Sequence, residues 1–501
     1  MRTLPLIGFA LVTSFASAAP VLTWGDQGNG TYRNPVLYAD YSDPDAIRVG
    51  DDFYLVASDF HFIGIQVLHS RDLVNWRIVG QVFHRLPIDP KYDEMRGYAE
   101  GTWAPTLRYH DGTYYLFVCT PHDGLFMWHT KNPAGAWSDV VTVKRVDAWE
   151  DPCPFWDDDG TAWLVHSRKG AGPLILHRMA ADGSQLLDDG VEIYRGPVAE
   201  GPKLFKRRGW YYISLPEGGV GTGGQTVLRS RELHGPYERK QVLVDGSPHQ
   251  GALVELPNGE TWFLGFKSTA QSGRVTHLMP VRWGDDDWPV FGNDGHTVES
   301  GKKPSLPNGP VGRPQMSDDF NSRTLQPQWQ WNHNPGDPAW SLTARPGWLR
   351  LHGLPASELK DAHNTLTQKL WGERGTFVAK IDVAALKEHQ RAGVTFMSGH
   401  VFGAIAVTRA GSGIRVDVGG AVASLEVPVV WLRASYRGAS GRLAFSTDGD
   451  NFLDLGSEVP LKFGDWKGAR VALFCFGAGD GFADFDEVRY TCDGVAPVAS
   501  N

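Results

Sequence analysis

DPCPFWDDDGTAWLVH, residues 151–166, reads as two short apolar strands around an acidic turn, and it has relatives along the chain. DPDAIRVGDDFYLVAS (43–58), APTLRYHDGTYYLFVC (104–119), GPKLFKRRGWYYISLP (201–216) and QGALVELPNGETWFLG (250–265) follow the same plan. Each opens on a small or polar residue, usually followed by proline, and runs into an apolar strand. A turn of Asp-Gly or Asn-Gly type comes next, then a strand rich in Tyr, Trp and Phe. The turn residues supply the positive φ that a tight hairpin needs. A further strand and turn follow most copies, as in LHSRDLVNW (68–76), MWHTKNPAGAW (127–137) and LRSRELHGPYE (228–238). Units of four antiparallel strands, mostly 47 to 50 residues apart, predict the blades of a five-bladed β-propeller spanning 30–299. A parallel β-helix would need a shorter period, and an α-solenoid a helical one.

In a propeller the innermost strands run along a central channel, so equivalent positions of the repeats meet around one axis. Those positions are Asp43, Ala104, Asp151, Gly201 and Gln250, and Trp103, Glu200 and His249 stand one residue earlier. Three carboxylates, Asp43, Asp151 and Glu200, are therefore expected to converge from three blades. Acids gathered in this way repel one another and point to a use, either cation binding or glycosidic cleavage by a general acid and a general base. Asp157, Asp158 and Asp159 occupy the hairpin-turn slot instead. Their spacing lacks the alternating acids of a calcium loop.

The bulk numbers agree with a turn-rich, all-β chain. Among 501 residues there are 59 Gly, 32 Pro and 19 Trp, and hydrophobic and charged fractions of 42% and 21% are globular values. A net charge of −9 without a long basic run argues against nucleic acid as a partner. The opening MRTLPLIGFALVTSFASAAP has the pattern of a secretory signal over residues 1–19, which predicts a secreted or periplasmic protein with no membrane association after cleavage. The four cysteines, Cys119, Cys153, Cys475 and Cys492, form no zinc spacing, and their pairing is left open.

With these motifs in place, residues 34–292 resemble glycoside hydrolase family 43, whose members are five-bladed propellers. The carrying segments are NPVLYADYSDPDAIRVGDDFYL, GTWAPTLRYHDGTYYLF, EDPCPFWDDDGTAWLVH, AEGPKLFKRRGWYYIS, HQGALVELPNG and GRVTHLMPVRW. The resemblance implies that Asp43 is the general base, Glu200 the general acid, and Asp151 the residue that tunes and orients the acid. It implies inversion at the anomeric carbon, with base and acid about 6.5–9.5 Å apart. A neighbouring carboxylate and a partly dry pocket should raise the pKa of Glu200. Trp103 would wall the sugar and Arg274 contact it. His249 would face the channel, where calcium or water sits; no other cofactor is required. The related sucrose-cleaving propellers would show a different first motif and an RDP, where this chain has SDPDA and EDP.

Composition shifts over residues 300–315, SGKKPSLPNGPVGRPQ, which predicts an interdomain linker. Beyond it, short alternating strands such as GTFVAKIDV, GIRVDVGG and ARVALFCFG predict a β-sandwich over 316–495. DDFNSRTLQPQWQWNHNPGDPAWSL resembles the opening of the lectin-like jelly-roll that follows some family members, where a sandwich loop closes one side of the pocket. Phe482 is the expected plug, and Asp319 with Asp486 a candidate structural calcium pair. Together these readings imply an exported exo-glycosidase acting on xylo- or arabino-oligosaccharides. An endo-arabinanase and a non-catalytic sugar-binding propeller are the alternatives.

Overall fold

The computed structural model describes residues 25–246, 248–307 and 314–493. The expected signal segment 1–19 and part of the expected linker lie outside them. Five four-stranded antiparallel sheets form the propeller, each in simple sequence order. Their innermost strands are Ser42–Val49, Trp103–His110, Trp149–Trp156, Lys203–Arg207 and His249–Glu255.

The hairpins follow from the turn residues. Asp111-Gly112 and Arg208-Gly209 each place both residues at positive φ, linking His110 to Thr113 and Arg207 to Trp210 as two-residue turns. The triple aspartate behaves as the hairpin slot requires, with Gly160 N donating to Asp157 O at 3.0 Å. Asp157 also ties the third blade to the fourth, since Tyr211 donates to its Oδ2 at 2.6 Å and Lys206 to its Oδ1 at 2.6 Å.

The ring is closed by the start of the chain. In the fifth blade the outer strand Pro289–Phe291 covers only residues 281–283 of the third strand. The rest of that edge is taken by residues 34–41. Leu37 bridges Thr276, and Tyr41 N donates to Arg274 O at 2.9 Å. Asn34 donates to Leu278 O and Val298 O, and accepts from Leu278 N at 2.8 Å. Strand pairing continues past the expected boundary at 299: Ser300–Lys302 pairs with Thr31–Arg33, and Lys303 reaches Asp26 and Asp72 at 2.8 Å each. This stretch therefore belongs to the propeller rather than to a linker.

The second domain is a sandwich of two antiparallel sheets, with seven strands on one path and eight strands in the other. Strand Val429–Arg437 shows strict alternation of buried and partly exposed residues, as a strand with one covered face must. Phe377, Ile381, Val394, Phe396, Leu473 and Phe485 fill the space between the sheets. The same apolar cluster runs on into propeller residues such as Leu86, Leu107 and Trp128, so the two domains share one core. All four cysteines are free and buried.

Candidate active site

The five axis positions found by repeat have a common backbone signature. Asp43, Ala104, Asp151, Gly201 and Gln250 all lie at positive φ, between 36° and 57°. In four blades the register of the inner hairpin slips at this point, between Ser42 and Asp45, Trp103 and Thr106, Glu150 and Cys153, and His249 and Gly251. In these four blades the inner strand thus starts with a bulge, which re-aims the side chains at that point. Four of the five residues are not glycine, and such strain concentrates at functional sites. At the fourth position glycine is required sterically, because a Cβ on Gly201 would stand 2.7 Å from the Gln250 side chain.

Side-chain hydroxyls and backbone amides fix the acids. Asp43 Oδ2 accepts from Ser58 Oγ at 2.7 Å, and its Oδ1 accepts from Arg274 Nη1 at 2.8 Å. Asp151 Oδ2 accepts from Gly201 N at 2.8 Å and from Ser167 Oγ at 3.1 Å, while Gln250 Nε2 reaches its Oδ1 at 3.4 Å. Gly201 is the residue after Glu200, so Asp151 grips the peptide that carries the expected acid. Glu200 Oε1 lies 3.0 Å from Nε2 of buried His249.

Asp43, Asp151, Glu200, His249 and Gln250 line one cavity of about 490 Å³, together with Phe60, Trp103, Glu150, residues 169–171, Val198, Val220 and Trp466. Arg274 lines it and stacks its guanidinium 4.6 Å from the Phe266 ring. Trp103 forms an aromatic wall, edge-on to Phe60 at 5.7 Å and to Trp466 at 6.0 Å.

Burial is distributed differently from the expectation. The Glu200 side chain keeps 23% of its exposure, whereas Asp151 and Glu150 are 7% and 5% exposed. Burial first, then the charges of Glu200 and Asp43, push Asp151 above the usual carboxylate range. Burial first, then Asp151, raise Glu150. Burial and mutual repulsion thus favour the protonated forms of these two acids.

Two expectations are corrected. Phe482 packs under Arg350 at 3.6 Å and against His352 at 5.5 Å, away from the cavity. The sandwich residue that reaches the pocket is Trp466, on a loop where Asp465 and Trp466 both have positive φ. No periodicity marked it, since an isolated loop has none. Asp319 closes its own turn on Asn321 and Asp486 pairs with Lys380, so these acids are separately occupied. His249 leaves its ring nitrogen Nδ1 without a protein partner. Among the described residues, the group of three close enough to share an ion is Glu150, Asp151 and Glu200, within the sugar pocket itself. Glu150 was missed although it stands at the same register as Trp103, Glu200 and His249.

Comparison with known proteins covers both domains. The model for "Glycosyl hydrolases family 43" matches residues 32–289, and that for "Beta xylosidase C-terminal Concanavalin A-like domain" matches 317–491. A β-xylosidase of Formosa agariphila is 36% identical over 96% of this chain and 93% of its own length. A non-reducing end α-L-arabinofuranosidase of Bacteroides ovatus is 34% identical over 73% of each chain. The crystal structure of a family 43 protein from Bacillus licheniformis superposes with a TM-score of 0.81 at 28% identity, over 92% of this chain and 99% of that one. Propeller and sandwich thus agree with the matches along nearly the whole chain, which belongs to glycoside hydrolase family 43.

Proposed function

We propose that this hydrolase is an exported, inverting exo-glycosidase that removes terminal β-D-xylosyl or α-L-arabinofuranosyl residues from hemicellulose-derived oligosaccharides. The observation that carries this reading is the meeting of Asp43, Asp151 and Glu200, from three blades, in one cavity. Asp43 takes a proton from water as the water oxygen bonds to the anomeric carbon. Glu200 gives its proton to the glycosidic oxygen as that bond breaks, so charge and protons balance. Arg274 and Ser58 hold the Asp43 carboxylate to one orientation. Asp151 holds Glu200 through the Gly201 amide. The relatives named for β-xylosidase and α-L-arabinofuranosidase activity support both sugars as substrates.

Proton NMR of the first product from p-nitrophenyl β-D-xyloside tests inversion: α-xylose is expected first. Initial appearance of the β anomer would contradict the base role of Asp43.

End-on cleavage is supported by Trp466, which the second domain sets edge-on to Trp103 in the cavity wall. Trp466→Ala should raise KM for xylobiose about tenfold, the order of one lost aromatic contact, with kcat little changed. An unchanged KM would remove Trp466 from the sugar site.

A further inference from the structure

Glu150 is a fourth carboxyl in the pocket, with no part in the scheme above. It is buried, yet it lines the cavity. Its Oε1 accepts from Ala171 N at 3.0 Å, which pins the pocket wall formed by residues 169–171. The cation on that wall, Lys169, has its Nζ 2.8 Å from His122 Nε2. One oxygen of Glu150 lies within 4.8 Å of oxygens of both Asp151 and Glu200. Three carboxyls so close do not all ionise, because each charge disfavours the next.

We propose that Glu150 works as a neutral carboxylic acid whose second oxygen donates a hydrogen bond to a hydroxyl of the terminal sugar. It is thereby a specificity-determining residue of this pocket. The proposal rests on the glycosidase reading above and adds a substrate contact to it. The groups that face Glu150 are Asp151 on its own strand, Glu200 on the fourth blade and Cys119 on the second blade. The thiol of Cys119 is itself pushed well up, by burial and then by the two acids Asp151 and Glu150, and stays neutral. Burial and Asp151 raise the Glu150 carboxyl, while the amides of Ala171 and Gly170 pull the other way without reversing the shift. A buried donor matched to one hydroxyl discriminates strongly against sugars lacking it, since it is then left unpaired.

Two variants test this on the full chain. Glu150→Gln keeps both the acceptor for Ala171 and a neutral donor, whereas Glu150→Met keeps the length and loses both. With p-nitrophenyl β-D-xyloside and α-L-arabinofuranoside at neutral pH, the Gln variant should retain kcat/KM within about threefold. The Met variant should lose about tenfold or more, the size of one net hydrogen bond. Wild-type kcat/KM in Glu150→Met would overturn the contact. The second arm needs no substrate. A carboxyl raised in the folded state contributes stability below its unfolded value and loses it as pH rises through the folded value. The Tm of Glu150→Gln should therefore gain on wild type from about pH 5 to about pH 9; a constant difference would overturn the neutral state, even if the Met variant fails to fold. A wild type inactive on both glycosides would instead sink the glycosidase reading, and the sugar contact with it.

Discussion

Glu200→Gln is expected to lower kcat on xylobiose by a factor of about 100 to 10,000, while sparing most of the rate on 2,4-dinitrophenyl β-D-xyloside. The first substrate leaves as an alkoxide unless it is protonated; the second leaves unaided. Glutamine is isosteric and keeps an oxygen to face His249 Nε2, 3.0 Å from the carboxylate it replaces, so the fold should be undisturbed. Asp43→Asn makes the opposite pattern. Without a base for water, both leaving groups suffer alike, and Arg274 loses the carboxylate 2.8 Å away. The ratio of the two rates, rather than either rate alone, separates acid from base. Equal losses on both substrates in Glu200→Gln would show that Glu200 does not protonate the leaving oxygen, and Glu150 would become the acid to test next.

Legibility in the sequence followed periodicity. Asp43, Asp151 and Glu200 are far apart in the chain, but the repeat aligned them, and the backbone at the aligned positions carries the shared positive φ. The same alignment could have exposed Glu150, since the residue before the axis position also faces the pocket in three other blades. What hid it was its neighbour: in EDP the aspartate matched a motif and the glutamate did not. Trp466 was illegible for a different reason. Its place against Trp103 depends on how the two domains dock, and neither hydrophobic pattern nor turn chemistry encodes that. Phe482 failed for the same cause, because an aromatic at a strand start can face either way until its sheet partners are known. Its partner His352 turned it toward Arg350.

Docking itself rests on buried charges, and removing one should have the largest effect on stability. Asp59, in the propeller, meets three cations of the sandwich: Lys369 at 3.0 Å, Arg470 at 3.4 Å and Lys467 at 3.9 Å. Asp40 takes Lys467 at 3.1 Å and accepts from Arg274 N at 2.8 Å, and Lys467 donates to Ser58 O at 2.8 Å. All five charged side chains are 3% exposed or less, so two anions face three cations away from solvent. Burial alone would raise Asp59, but the three cations together overcome it and hold it low. Burial outweighs the attraction of Asp59 at Lys369, which is lowered to about 8. Asp59→Asn leaves three buried cations to one anion, and should cost about 3–5 kcal/mol in chemical denaturation, the penalty of orphaning a buried charge. The sign of the pH response follows from Lys369. A lysine lowered in the fold has its stability fully present above its unfolded value and loses it as pH falls through the folded one, so the deficit of Asp59→Asn should shrink from pH 7 toward alkaline pH. Adding Lys369→Met should restore most of the loss at pH 7, because the worst-placed charge goes with its partner. A deficit below about 1 kcal/mol, or one that Lys369→Met deepens, would mean that the cluster is solvated and does not bind the domains. The chain of contacts then predicts where the damage is felt. Ser58 and Arg274, both tied to this cluster, are the two residues that hold Asp43, so loosening the sandwich should slow hydrolysis before it unfolds the propeller.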